Sequence, residues 1–138
     1  MSSVPDLPEW AAYFASELDR KMGLELLEVT PQRAVGRYPV KGNTQPEGIW
    51  HGGASAVVVE TLASLAGYAE VGGTGHAFGA EVSVSHLSPA SEGWVEGVAE
   101  AVRIGGTLAV YNVTLTNNGK LIAVGRATVA LKRPKESS

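Results

Sequence analysis

The spacing of hydrophobic positions changes repeatedly along the chain, and each change marks an element. From Pro8 and Glu9 onward, Trp10, Tyr13, Phe14, Leu18 and Met22 recur three and four apart. That is the stripe of an amphipathic helix, with Gly23 as its stop. Leu24–Thr30 and Arg33–Val40 are short β-compatible pieces, and Pro31-Gln32 between them predicts a hairpin. Lys41 to Trp50, with Gly42, Asn43, Pro46 and Gly48, reads as a loop that delivers the chain to His51-Gly52-Gly53. From Ala54 to about Ala69 the residues are rich in Ala and Leu and apolar on nearly every side, which predicts a helix surrounded by protein. Val57-Val58-Val59 is β-prone and pulls against that assignment.

After Gly72-Gly73-Thr74-Gly75 the pattern is strand-like to the end: Ala80–Leu87, Trp94–Ile104, Thr107–Thr116 and Leu121–Lys132. The connections are Pro89 to Gly93, Gly105-Gly106 and Asn117-Asn118-Gly119, the last a strong hairpin signal because Asn and Gly tolerate positive φ. Successive hairpins predict an antiparallel sheet. In the final strand Leu121, Ala123, Gly125, Ala127, Val129 and Leu131 form one small or apolar face, with Arg126 and Lys132 opposite. One side of the sheet is therefore buried, and the long apolar helix is what covers it.

Length and composition narrow the function. The 138 residues, 44% hydrophobic and 18% charged, suit one domain with a single core, and only the tail from Arg133 to Ser138 looks flexible. The absence of cysteine removes disulfides, thiolate zinc sites and a cysteine nucleophile, and fits a reducing, cytoplasmic setting. A net charge of −3 with no large basic cluster argues against nucleic acid as a partner. Met1 to Trp10 lacks a secretory profile, and the apolar stretch from Gly53 to Ala69 is too short and too interrupted for a membrane span. His51, His76 and His86 have neither the spacing nor the acidic neighbours of a metal site, and His76 falls in a glycine-rich loop.

Two features carry the chemistry. Glu60 is a lone carboxylate in the middle of the apolar helix, and of its helical neighbours only Ser64 can hydrogen-bond to it. Desolvation there would strengthen it as a base or nucleophile, unless it pairs with a distant Arg103 or Arg126 or lies at a solvated edge. His51-Gly52-Gly53 precedes the helix, where close backbone approach and unsatisfied N–H groups would polarise a carbonyl; the plainer account is that the glycines only permit the turn. Glu60 lies eight residues beyond Gly52, about 12 Å along a helix. One carbonyl cannot reach both, so a joint role requires the helix start of one subunit to meet the helix middle of another.

The segment HGGASAVVVETLAS, with Gln45 before it, resembles the hotdog-fold acyl-CoA thioesterases, in the branch containing phenylacetate-pathway and 4-hydroxybenzoyl-CoA thioesterases. The likeness continues through His86-Leu87-Ser88-Pro89-Ala90 and Gly106 to Tyr111 to the last strand. It implies an α+β hotdog fold, an antiparallel sheet wrapped around a long central helix, in dimers or dimers of dimers with active sites between subunits. It implies hydrolysis of an acyl-CoA thioester, with no cofactor beyond the coenzyme A of the substrate. By the same resemblance Glu60 matches the catalytic nucleophile or general base and the Gly53 or Gly52 N–H the oxyanion donor. His51 belongs to the same motif, Gln45 matches a side chain near the thioester, and Ser64 a hydroxyl that orients water. The familiar arginine before the Leu-x-Pro region is absent, so Thr107, Arg103, Lys132 and Arg133 become the candidates for coenzyme A contacts. Trp50, Val57, Val58, Leu62, Tyr68 and Phe78 are candidates for the acyl wall. A non-catalytic acyl-CoA sensor is an alternative that the presence of Glu60 disfavours, and a hotdog dehydratase is disfavoured because the central helix carries no histidine.

Overall fold

A computed structural model describes residues 7–13, 16–72 and 74–134. The N-terminal stripe forms two pieces rather than one helix: a 3-10 turn, Glu9–Tyr13, and α1, Glu17–Met22. The break has a local cause. Ser16 sits in extended conformation as the N-cap of α1, its Oγ accepting the Asp19 N–H at 3.0 Å, so the hydroxyl starts a new helix instead of continuing the old one. Phe14 lies outside the described residues. Gly23 ends α1 in the left-handed region, φ 86°, as a C-cap.

The hairpin forms as expected from β1, Glu25–Val29, and β2, Arg33–Pro39. The central helix α2, Gly52–Val71, is followed by β3, His76–His86; β4, Trp94–Ile104; β5, Leu108–Asn117; and β6, Lys120–Lys132. His76 thus opens a strand, stacked on Phe78, rather than lying in the glycine loop. The six strands make one antiparallel sheet in the order β1-β2-β4-β5-β6-β3, so β1 and β3 are its edges.

α2 beds on the inner face of this sheet. Gly36 and Gly97 are cross-strand partners, and a Cβ on Gly97 would collide with Val58 Cγ1 and with Leu62 Cδ1, at 2.5 and 2.7 Å. The missing side chains are what let Val58 and Leu62 reach the sheet, and both are fully buried. Tertiary packing thereby overrides the β preference of the valine run. It also removes Val58 and Leu62 from the acyl wall, since they belong to the core. By length and hydropathy α2 could cross a membrane, but 56% of its most apolar stretch is buried inside the protein, as in a core helix.

Among the described residues four register shifts interrupt the strand pairing, and two bear on the buried face and on α2. In β6, Leu115 pairs with Ala123 and Thr116 with Leu121, leaving Ile122 as the extra residue. Ile122 and Ala123 are both buried, and Leu121, expected on the buried face, is exposed. A second, between Gly79 and Glu81 in β3, lies beside α2. At the C-terminus Arg133, expected to open a flexible tail, is held: it pairs with Glu70 at 2.9 Å and donates to the carbonyls of Gly105 and Gly106.

Candidate active site

The loop before α2 is braced at both ends. Asn43 donates its side-chain amide to the carbonyls of Met22 and Pro39, each at 2.7 Å, and its own carbonyl accepts the His51 N–H. Trp50 is buried, with its N–H on the Ala90 carbonyl and its indole N–H on Ser55 Oγ at 2.8 Å. His51 then caps the helix: in extended conformation, its Nδ1 accepts the Gly53 N–H at 2.8 Å.

This cap separates the two glycines that the sequence leaves equivalent. The Gly53 N–H is already engaged by the His51 imidazole. Gly52, the first residue of α2, has its N–H outside the intrahelical ladder. It lines a cavity of about 340 Å³ with Gln45, Trp50, Ser55, His86 and Ile122. A Cβ at Gly52 would come within 2.9 Å of the His86 imidazole, so only glycine lets that ring lie over the helix start. Gln45 Oε1 accepts the Glu47 N–H, which leaves the side-chain NH₂ as its donor for a ligand. His86 and Ser55 were not singled out for this role in the sequence, because only the fold brings the end of β3 and the start of α2 together.

Glu60 differs from its expectation. It is exposed in the single chain and, among the described residues, has no ion-pair partner. The reason is geometric: the sheet covers one side of α2, leaving Gly53, Val57, Glu60, Thr61, Ser64 and Tyr68 as an accessible or half-buried stripe on the other. The carboxylate leans over Gly79 of β3, where a Cβ would lie 3.1 Å from Glu60 Cδ. Glu60 and Ser64 share a second cavity, of about 200 Å³, with Ser16, Asp19, Thr61, Leu65 and Tyr68. Four of the residues singled out thus fall into two pairs, Gln45 with Gly52 and Ser64 with Glu60, and Gly52 and Glu60 lie about 12 Å apart along α2.

The second cavity has a floor that the sequence did not reveal. Asp19 is only 4% exposed. Its Oδ1 accepts from the Tyr38 hydroxyl at 2.6 Å and from Thr61 Oγ1 at 2.9 Å, and its Oδ2 from Ser16 Oγ at 2.7 Å. Burial, and then the adjacent Asp19 carboxylate, push the Tyr38 phenol above its usual range. Ser16-x-x-Asp19 is legible as a helix cap, but its link to Thr61, 42 residues away, is not.

Within one chain Arg103 and Thr107 are not brought to either pair. Both are exposed at the β4–β5 turn, which Arg133 ties to Glu70 in the last turn of α2, at the opposite end from Gly52. Among the described residues no group of acidic or histidine side chains could hold a metal ion.

Comparison with known proteins agrees with this architecture. Residues 47–123, more than half of the chain, match the family described as the thioesterase superfamily. The 1,4-dihydroxy-2-naphthoyl-CoA hydrolase of Listeria monocytogenes is 31% identical over 121 residues, covering 86% of this chain and 98% of that protein. The proofreading thioesterase EntH of Cronobacter sakazakii is 34% identical over 80% of this chain and 77% of its own. A crystal structure of a mutant thioesterase from Pseudomonas aeruginosa superposes with a TM-score of 0.84 at 30% identity, covering 93% of this chain and 94% of that one. The antiparallel sheet around one long helix, the glycine-led helix start and these matches together make the chain a hotdog-fold enzyme of the thioesterase superfamily.

Proposed function

We propose that the protein hydrolyses an acyl-CoA thioester in a site assembled from two copies of the chain. The observation that carries this reading is the division of the candidate residues between two cavities that one carbonyl cannot bridge.

The sheet edges supply the means of assembly. β1 is a short edge of five residues carrying Glu25 and Glu28, the usual protection against further pairing. β3 has eleven residues, one carboxylate, and exposed or half-buried Phe78, Val82 and Val84. Such an edge invites antiparallel pairing with its own copy about a two-fold axis. If the axis passes through Ser83, the extra residue at the irregularity between Gly79 and Glu81 brings Gly79 of one protomer opposite His86 of the partner subunit. Glu60 lies over Gly79 and His86 lies over Gly52, so this register carries Glu60 to Gly52 of the partner subunit. It also covers the exposed carboxylate and supplies the desolvation that one chain lacks.

In that site the Gly52 N–H and the Gln45 NH₂ polarise the thioester carbonyl, the first strengthened by the helix dipole. Glu60 attacks the carbonyl carbon or takes a proton from water that does so, with Ser64 orienting the water. In the first route the C–S bond breaks to leave an acyl–Glu60 anhydride, which water then hydrolyses to the free acid and the Glu60 carboxylate. In the second the water oxygen adds directly and the C–S bond breaks. In both the coenzyme A thiolate leaves and takes up a proton. No metal is needed.

The test uses subunit mixing. Glu60→Gln abolishes most release of thiol from acyl-CoA esters without loss of the oligomer. Gln45→Ala deletes the proposed side-chain donor without adding atoms to the site, unlike a substitution at Gly52, whose new Cβ would strike the His86 imidazole; rates fall about 10²–10³-fold. Mixed after dissociation and reassociation, the two inactive chains recover part of the wild-type rate. Full activity of Glu60→Gln rejects its role, and absence of recovery in mixed oligomers rejects the shared site.

A further inference from the structure

Ser55 is 1% exposed, yet it borders the cavity at the start of α2 together with Gly52 and Gln45. Its hydroxyl can donate one hydrogen bond and accept two. The bond to the Trp50 indole, 2.8 Å long, has only one possible direction, because the indole nitrogen donates and does not accept. Ser55 Oγ therefore accepts there, and its own proton points elsewhere. A helical serine that bonds its own helix returns that proton to the carbonyl four residues earlier. Here that carbonyl belongs to His51, and it already takes the N–H groups of Ala54 at 3.0 Å and Ser55 at 3.4 Å. Among the described residues no group accepts from Ser55 Oγ. A donor buried this deeply is costly to leave unbonded, so it marks the place of an acceptor on a ligand.

Helix geometry indicates where that acceptor sits. Gly52 and Ser55 are three residues apart on one face of α2, and a helical side chain leans back toward the N-terminus. The Ser55 hydroxyl is thereby carried toward the Gly52 N–H, where the thioester carbonyl is placed. Accepting the indole bond polarises the O–H and makes it a stronger donor. From the buried proton, the one-way indole bond and the wall shared with Gly52, we infer that Ser55 is a catalytic donor to the thioester oxygen, aimed by Trp50. It joins the Gly52 N–H as charge develops on that oxygen. The proton stays on Ser55 throughout, and Oγ forms no covalent bond. This inference rests on the thioesterase reading for the position of the carbonyl and goes beyond it in adding a side-chain donor.

The test measures thiol release from a panel of aromatic and aliphatic acyl-CoA esters. With the ester that the wild-type protein turns over fastest, Ser55→Ala lowers kcat about 10²-fold and leaves KM close to the wild-type value. Unchanged kcat, or a rise in KM alone, overturns the inference, the latter because the hydroxyl would then bind only the ground state. Trp50→Phe lowers kcat when Ser55 is present but not in the Ser55→Ala background, where there is no hydroxyl to aim. A tryptophan that merely packs lowers both alike, which overturns its part. A crystal structure of Glu60→Gln with the ketone analogue of that ester, a methylene replacing sulfur, needs neither variant to fold. Ser55 Oγ is expected about 2.5–3.0 Å from the ketone oxygen; a longer separation, or a water bridging the two, overturns the inference. Thiol release that Ser55→Ala leaves undiminished defeats Ser55 and keeps the hydrolase reading standing, whereas no thiol release by the wild-type protein defeats both.

Discussion

Gly79→Ala separates the position of the Glu60 carboxylate from the stability of the fold. An ideal Cβ at Gly79 lies 3.1 Å from Glu60 Cδ and 3.2 Å from Cγ, and closer still to Oε2. Carbon atoms prefer separations of about 3.5–4.0 Å, so the carboxylate withdraws by roughly 1 Å. A misplacement of about 1 Å costs about 10²-fold in rate, close to 2.7 kcal/mol of transition-state stabilisation. Stability moves the other way. The atoms that must give way are the end of a flexible side chain, and Gly79 is not among the positive-φ residues. The new methyl therefore chiefly restricts the unfolded chain and stabilises by about 0.4–1 kcal/mol. Thiol release with a colorimetric reagent, read beside thermal melting, gives both quantities on one sample. Undiminished turnover would refute the placement of Glu60 over β3, and a Tm that falls with the activity would refute the claim that the clash is local.

Gly97→Ala gives the opposite result: the methyl drives into Val58 and Leu62 in the core, and urea midpoints fall by the equivalent of about 1–3 kcal/mol. An alkaline transition follows from the two buried tyrosines. Burial, then Glu70, raises the Tyr111 phenol to about 12, and burial, then Asp19, raises Tyr38 further. Above about pH 10 the unfolded tyrosines ionise while the folded ones keep their protons, so stability is intact below that pH and declines as pH rises toward 12. Urea midpoints across that window show the decline, Tyr111→Phe makes it shallower, and a flat profile for the wild-type protein would contradict the burial argument.

What could be read from the chain was whatever short-range chemistry specifies. The hairpin at Pro31-Gln32, the left-handed stop at Gly23, the Asn118-Gly119 turn and the apolar run of α2 each depend on residues within a few positions of one another. The glycine-led helix start and the acid eight residues on were equally legible, and a rise of 1.5 Å per residue already puts them about 12 Å apart.

Tertiary structure decided the rest, because each remaining answer depends on residues far apart in the chain. Packing on one side of the sheet left Glu60 accessible, and the glycine pair Gly36–Gly97 sent Val58 and Leu62 into the core. Bulges exchanged Leu121 for Ile122 on the buried face and placed an irregularity at Gly79, where a period of two carries no signal. Between Gly52 and Gly53 the chain is chemically neutral; the side chain of His51 makes the choice by binding one N–H, and His86 by lying over the other residue. Asp19, 41 positions from Glu60 in sequence, joins its cavity only because the fold sets it against Thr61 in the middle of α2. Hydrogen-bond propensity and hydrophobic period are local properties, whereas access to solvent and the walls of a cavity belong to the packed whole.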